Sequence, residues 1–215
     1  MQTPYSTALA DFKKLFERLS YRHSYSETFT HFLDFALYTL DPMKNKEPVM
    51  YLEKIYTEKE APLLVDLFYN WIDASDNNGE GFADVLGDLF MEFVSHGRNG
   101  QFFTPQPVCD MMAAITIDKD QGSVSDPACG SGRLLMAAAK INRLFKFYGA
   151  DNDLTCCKMA ALNMIINTMP GEIAHMNSLS LEYYRSFIIK VHKIEGKMMP
   201  LYFVSNSRTA SYFFK

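Results

Sequence analysis

A short acidic, glycine-containing turn precedes a helix-forming run in the sequence "DPACGSGRLLMAAAK", residues 126–140. Gly130 and Gly132 would let the backbone pass close to a ligand, because glycine has no Cβ to fill that space. A helix that begins at Arg133 offers free backbone N–H groups and the positive end of its dipole. Asp151 stands at the end of the next predicted strand, where a carboxylate can accept hydrogen bonds from both hydroxyls of a ribose. The turn and this carboxylate together predict a site for a nucleotide-like ligand.

Each of these features also has an ordinary structural explanation. Asp126 and Gly130 fit a plain strand-to-helix turn, and Asp151 fits a helix cap alongside Asp153. The fingerprint of dinucleotide-binding proteins, G-x-G-x-x-G, is not met, since "GSG" at 130–132 is followed by "RLL". A nicotinamide-dependent oxidoreductase is therefore a disfavoured alternative.

The four cysteines do not have the spacing of a metal site. They form no CxxC pair, and no histidine run supplies the remaining ligands of a zinc site. On a helix the adjacent Cys156 and Cys157 would point about 100° apart, which favours buried thiols over a redox pair. We predict a reduced chain without a bound metal.

The composition and charge limit the class of protein. Hydrophobic residues make up 48% of the 215 residues and aromatic residues 14%, which excludes a disordered or fibrous chain. The formal net charge of −4 excludes a global positive field for DNA or an anionic membrane, so nucleic acid must meet a local patch or a partner. The first residues lack the apolar core of a signal peptide, and no apolar run approaches the roughly 20 residues of a membrane span. These features predict a cytoplasmic protein without membrane association.

Two kinds of pattern divide the chain. Apolar residues recur at helical spacing up to about Val94, as in Phe29, Phe32 and Leu33, which predicts a helical region. Beyond Gly100, strand and helix patterns alternate. Strand candidates lie at 123–125, 144–151, 172–178 and 200–204, and helix candidates at 132–142 and 154–167.

The alternation predicts a parallel sheet with right-handed crossovers, whose ligands bind beyond the carboxyl ends of the strands. A further helix is expected to begin with Thr104 as its capping residue and Pro105 as its first helical residue.

Five segments of the sequence carry a resemblance to a known family. They are "LGDLFMEF" at 86–93, "GQFFTP" at 100–105, "DPACGSG" at 126–132, "YGADND" at 148–153 and "NSL" at 177–179. In this order they resemble the modification subunits of type I restriction systems, which are adenine-N6 DNA methyltransferases that use S-adenosylmethionine. The resemblance implies an α/β fold in which a helical N-terminal region, residues 1–97, precedes a truncated Rossmann-like methyltransferase sheet, residues 98–215.

The resemblance also implies a role for each matching residue. Gln101, Phe102, Phe103 and Thr104 would wall the methionine end of the cofactor, with Thr104 at a helix N-terminus suited to its carboxylate. Ordinary core packing is the alternative for the two phenylalanines. Asp126 would face the methionine amino group.

The rest of the implied site follows the next two strands. The backbone would pass close to the cofactor at Ala128, Gly130 and Gly132. Asp151 would hold the ribose, and Asn152 would border the adenine. Asn177 stands where the family usually has an aspartate that reads the adenine amino group, and an amide can still pair with adenine.

The catalytic motif of the family is absent from this sequence. In the family, Asn or Asp is followed by two prolines and an aromatic residue, on which the flipped target adenine stacks. The nearest match is "YFVSNSRTA" at 202–210, where an apolar strand ends in Asn206. Loss of one positioned hydrogen-bonding group typically costs about 10²- to 10³-fold in rate. This sequence keeps the Asn of the motif but has Ser207 and Arg208 in place of the prolines and Thr209 in place of the aromatic residue. Asn206 is therefore the candidate catalytic residue of a degenerate motif.

Two functions and several partners follow from the resemblance. The chain is either an adenine-N6 DNA methyltransferase, or a non-catalytic relative that binds cofactor or partner proteins, which "SNSR" at 205–208 favours. Its partners would be DNA, held with help from another protein, together with a DNA-specificity or other restriction-modification subunit or a second copy of the chain. With the family's usual strand order, the fourth strand, 200–204, would be a sheet edge beside the first strand and would pair with another chain.

Overall fold

The computed structural model describes residues 4–43, 49–95, 102–118, 120 and 122–214. The chain divides into two compact units, with the division between Phe102 and Phe103. The predicted division between residues 97 and 98 lies outside the described residues.

The first unit is helical, as the apolar spacing predicts. Its helices are α1 (Pro4–Ser20), α2 (Tyr25–Leu40), α3 (Leu52–Ile55), α4 (Ala61–Asp76) and α5 (Val85–Leu89), and a π-helical segment spans Phe90–Ser95. Ser24 and Glu27 form a capping box that starts α2. The apolar helix faces meet in an aromatic core, where the buried Phe32 contacts Phe12 and Trp71.

The second unit is an α/β fold. Its helices are α6 (Gln106–Thr116), α7 (Arg133–Ile141) and α8 (Leu154–Ile166), and its strands are β1 (Ser123–Asp126), β2 (Lys146–Asp151), β3 (Gly171–Asn177), β4 (Glu182–Ile194) and β5 (Lys197–Ser205). Within the described residues the strands form one five-stranded sheet in the order β1-β2-β3-β4-β5. The first three strands are parallel, as predicted, whereas β4 pairs antiparallel with both β3 and β5.

The place of the last strand corrects the prediction. The apolar run at 200–204 lies in β5, an edge strand as expected, but β5 pairs with β4 and not with β1. The strand candidates omit β4, which forms a hairpin with β5. Because the chain reverses direction twice after β3, β5 ends at the same edge of the sheet as β1 but four strand spacings away, about 19 Å.

The start of α6 also differs from the prediction. Pro105 is the residue that precedes the helix, Gln106 is its first residue, and no side chain caps it. Thr104 therefore does not cap α6.

The end of the chain folds back over one face of the sheet. Two short 3₁₀ turns, Arg208–Ala210 and Tyr212–Phe214, follow β5. Phe213 and Phe214 pack against a buried cluster of Ala150, Ala174 and Met176. In the described part of the chain, none of the helices has the length and apolar character that crossing a bilayer requires.

Candidate functional site

The turn between β1 and α7 is fixed by hydrogen bonds to its own backbone and to β2. The N–H of Cys129 donates to the carbonyl of Ala150 at 2.9 Å, and the N–H of Gly132 donates to the carbonyl of Cys129 at 2.8 Å. Asp126 closes the start of the turn, where its Oδ1 accepts the N–H of Ala128 at 3.1 Å. The turn therefore has a defined shape at the carboxyl end of β1.

Two glycines permit this shape. Gly130 has a φ of +53° and Gly132 a φ of +87°, the region that side chains with a Cβ rarely adopt. A Cβ added to Gly130 would lie 3.0 Å from Cε1 of Phe103. The structure thus brings the phenylalanine of one predicted motif against the glycine turn of the other.

Asp151 joins this turn to the one that follows β2. Its Oδ2 accepts the N–H of Gly130 at 2.9 Å, and its Oδ1 accepts the N–H of Asp153 at 2.9 Å. The helix cap of α8 is Asp153, whose side chain accepts the N–H of Thr155 at 2.7 Å. Asp151 therefore connects two turns. Neither of the roles predicted for it, ribose binding and helix capping, includes this connection.

The two carboxylates make this edge of the sheet acidic. Burial raises the pKa of Asp126 above its ordinary value, the N–H of Ala128 opposes that shift, and the charge of Asp151 adds to it. A positive group placed nearby would stabilise the ionised form of Asp126. The pair suits a ligand that carries a cation.

The cysteines beneath the turn are buried thiols, as predicted. Burial raises the pKa of Cys129 and Cys157 well above the ordinary thiol value. Cys157 donates to the carbonyl of Asp151 at 3.4 Å. These thiols are protonated packing groups.

A third turn, after β3, meets the first. Oδ1 of Asn177 accepts the N–H groups of Leu179 and Ser180, both at 3.0 Å. The hydroxyl of Ser178 donates to the carbonyl of Pro127 at 2.6 Å. The predicted residues Asp126, Ala128, Gly130, Gly132, Asp151, Asn152 and Asn177 thus stand on three consecutive turns at the carboxyl edge of the parallel strands.

The remaining predicted residues belong to other parts of the chain. Gln101 lies outside the described residues, and Phe102 belongs to the first unit, where 74% of its surface is exposed. Thr104 is exposed, and its carbonyl accepts the thiol of Cys109 at 3.6 Å. Asn206 is exposed and follows β5, far across the sheet from Asp126, because the hairpin of β4 and β5 extends the sheet from β3.

Two residues at the edge were missed by sequence reasoning. The ring of Tyr184 lies 4.5 Å from the ring of His175, and Nε2 of His175 lies 3.3 Å from the carbonyl oxygen of Asn152. A register shift in the pairing of β3 with β4, next to His175, accompanies this contact. Burial lowers the pKa of His175, which favours its neutral form. The aromatic and β-branched run at 183–191 was the available signal for this strand.

Comparison with known proteins gives a family match and several relatives. Residues 78–196 match the family described as N-6 DNA Methylase. The type I restriction enzyme MpnII methylase subunit of Mycoplasma pneumoniae is 30% identical over 141 residues, which cover 60% of this chain and 25% of that protein. The type I restriction enzyme MjaIX methylase subunit of Methanocaldococcus jannaschii is 26% identical over 147 residues, covering 62% of this chain and 25% of that protein. The chain therefore spans about a quarter of the length of these curated relatives.

A solved structure also aligns with the chain. It is the type I restriction-modification system methyltransferase subunit from Streptococcus thermophilus, with 21% sequence identity and a TM-score of 0.38. The alignment covers 74% of this chain and 36% of that one.

Proposed function

This chain belongs to the N-6 DNA methylase family, and from that membership we propose that its second unit binds S-adenosylmethionine and serves the N6 methylation of adenine in DNA. The observation that carries the proposal is the hydrogen bond between Gly130 and Asp151, which joins a glycine turn and a carboxylate at one edge of the sheet. Family membership favours this function over a non-catalytic subunit that binds only cofactor or partner proteins.

The chemistry of the edge fits this cofactor. Asp126 would face the methionine ammonium group, whose charge favours the ionised carboxylate. Each oxygen of Asp151 accepts one backbone N–H and keeps a second lone pair, so the carboxylate can also accept hydrogen bonds from ribose hydroxyls. When bound, S-adenosylmethionine supplies a methyl group on a sulfonium, which is the electrophile of the reaction.

The remaining contacts of the site are proposed from the family resemblance. Phe103 packs against Gly130 and would wall the methionine end, while Gln101, Phe102 and Thr104 stay predictions there. Asn152 would border the adenine of the cofactor.

Asn177 would have a narrower role than the resemblance implies. Its oxygen already accepts two backbone N–H groups, so its amide NH₂ is the group left for a ligand. We infer that Asn177 would donate a hydrogen bond to a ring nitrogen of the cofactor adenine, because an NH₂ group cannot accept one from the adenine amino group.

We propose that groups other than Asn206 hold the methyl acceptor. Reacting atoms must come within about 3–3.5 Å of each other for transfer. Asn206 follows a strand that lies four strand spacings from β1, about 19 Å. We propose that the target adenine is held by side chains nearer to the three turns.

The partners of this chain are proposed from the same membership. DNA would be the substrate, and other restriction-modification subunits would be partners, because the relatives are named as methylase subunits of restriction enzymes. A second copy of the chain is the other candidate partner, through the edge of β5. We propose the cytoplasm as the location of the protein, because its proposed substrate is DNA.

The test is incubation with methyl-labelled S-adenosylmethionine and unmethylated DNA, counting label bound to protein and label transferred to DNA. We expect Asp126→Ala to lose bound label. The matched control is Asp66→Ala, the same substitution at an exposed position of α4 in the first unit. If Asp126→Ala retains as much bound label as Asp66→Ala does, the turn is not the cofactor site.

A further inference from the structure

A cleft lies on a face of the sheet, lined by residues other than those assigned to the cofactor. Its volume is about 690 Å³, and side chains from β2, β3, β4, β5 and the C-terminal turns line it. Tyr148, Glu172, Ile188 and Phe203 are successive cross-strand partners, so they form one row across this face. The cleft is thus built on the regular part of the sheet.

Two exposed lysines lie on the same face of the sheet. Each is two residues along its strand from a member of that row, Lys146 from Tyr148 and Lys190 from Ile188. Gly171 pairs with Phe147 on one side and with Ile189 on the other, so the neighbouring Lys146 and Lys190 are level with each other. They are separated by two strand spacings, about 10 Å. This spacing places two ammonium groups along one side of the cleft.

The hairpin that carries Lys190 is basic in an acidic protein. Residues 182–208 contain five lysines and arginines and two glutamates, whereas the whole chain has a net charge of −4. Of the lysines and arginines, Lys190 of this hairpin and Lys146 of β2 line the cleft, and the acid that lines it, Glu172, is buried. The exposed charge of the cleft is therefore positive, the local feature that the composition requires of any nucleic-acid contact.

The carboxylate that lines the cleft, that of Glu172, is buried and hydrogen-bonded. Glu172 is 4% exposed. Its Oε1 accepts the hydroxyls of Ser186 and Ser211, both at 2.5 Å, and its Oε2 accepts the N–H of Tyr212 at 2.9 Å. These bonds hold the C-terminal turns in place as one wall of the cleft.

Aromatic rings accompany the lysines. Phe203 is 44% exposed, and the Nζ of Lys190 lies 5.3 Å from its ring centroid. Tyr212 is 39% exposed and stacks on Tyr148, with centroids 3.5 Å apart and ring planes 9° apart. Rings and cations that alternate along a groove are the pattern with which proteins hold single-stranded nucleic acid, through base stacking and phosphate contacts.

We propose that this cleft binds a single strand of DNA, with phosphates at Lys146 and Lys190 and a base stacked on Phe203. The two lysines favour an anionic polymer. The exposed rings favour one whose bases are unstacked and free to stack on them. The inference takes from the proposed function only that DNA is the substrate class. The cleft would contact DNA at a place separate from the three turns, where the cofactor and the target adenine are proposed to bind.

The test is fluorescence anisotropy with a labelled single-stranded DNA of about 16 nucleotides. We expect the double variant Lys146→Glu/Lys190→Glu to bind at least about tenfold more weakly and with a shallower salt dependence, since each lost phosphate contact reduces the slope by about 0.7. Phe203→Ala should weaken binding at least about fivefold through lost stacking. The matched control is Lys14→Glu/Lys54→Glu, which makes the same charge change at exposed positions of the first unit.

The inference is overturned if the wild-type chain binds no single-stranded DNA, or if the cleft variant and the control variant bind it equally. S-adenosylhomocysteine binding, measured on the same preparations, separates this outcome from failure of the cofactor site. We expect that binding to be unchanged in the cleft variant. A chain that binds DNA through these lysines and binds no S-adenosylhomocysteine would refute the cofactor site alone.

Discussion

Gly130 and Asp151 are joined by a hydrogen bond of 2.9 Å from the glycine N–H to the carboxylate, across the gap between the ends of β1 and β2. The same carboxylate accepts the N–H of Asp153, also at 2.9 Å. The glycine turn therefore depends for its shape on a residue 21 positions further along the chain. Changes on either side of the bond should disturb both folding and ligand binding.

Gly130→Ala should destabilise the fold and weaken cofactor binding. The residue has a φ of +53°, and an added Cβ would lie 3.0 Å from the ring of Phe103. We expect a loss of about 1–2 kcal/mol in the free energy of unfolding, measured by urea denaturation. The control is Gly122→Ala, where nothing lies within 4 Å of an added Cβ. Equal losses in the two variants would contradict the role of the turn.

Cofactor affinity should depend on pH through Asp126. Burial, followed by the charge of Asp151, raises the pKa of Asp126 in the folded chain, while the unfolded value is about 3.9. The folded state therefore holds this proton to higher pH, so its contribution to stability is full below about pH 3.9 and is lost as the pH rises through the folded pKa. Binding has the opposite sign, because an ammonium ligand prefers the ionised carboxylate.

We therefore expect the affinity for S-adenosylhomocysteine to fall as the pH is lowered from about 7 to about 4. Calorimetric titration at several pH values measures this dependence. Asp126→Asn, which cannot ionise, should bind weakly and without that trend. A wild-type affinity that stays flat over this range would show that Asp126 does not face the ammonium group.

Asn206→Ala should change methyl transfer little. The residue is exposed and follows β5, which lies about 19 Å from β1 by strand spacing. Initial rates of label transfer should stay within about twofold of wild type, whereas a positioned catalytic group costs about 10²-fold or more when it is lost. A loss of that larger size at Asn206 would mean that β5 takes another place in the active assembly.

Glu172→Gln should loosen the C-terminal turns. Glu172 is buried, and its two oxygens accept hydrogen bonds from Ser186, Ser211 and the N–H of Tyr212. An amide in its place has one acceptor oxygen where the carboxylate has two. With that oxygen on the N–H of Tyr212, the NH₂ group faces Ser186 and Ser211, whose hydroxyls lose the acceptor they share and must reorient, at a cost of about 1–3 kcal/mol. Thermal unfolding measures the loss, and the exposed Glu195→Gln is the control, where we expect no change.

Local sequence was sufficient to predict the three parallel strands and that the candidate residues following them stand at the strand ends. Asp126, Gly130 and Asp151 each stand where a short strand meets a turn signal, and the structure places all three at one edge. The strand β4 was harder to predict, because its period-two pattern is broken. Tyr184 and Arg185 are both exposed and Ser186 and Phe187 are both buried, next to the register shift in the pairing with β3.

Strand order and side-chain networks depend on distant parts of the chain. The apolar residues of 200–204 indicate an edge strand, but no local signal says which strand they pair with. The bond between Ser211 and Glu172 joins residues 39 positions apart, and neither residue type signals it. The oxygen of Asn177 is occupied by the turn that it starts, which a comparison of residue types with the family does not reveal.

The hydrogen bond from Ser178 to the carbonyl of Pro127 has a consequence for synthesis of the protein. It ties the glycine turn to a residue 51 positions later. Chains emerge from the ribosome with the N-terminal part first. A nascent chain that already displays Asp126 and both turn glycines therefore lacks the last support of that turn until Ser178 has been added and has left the exit tunnel.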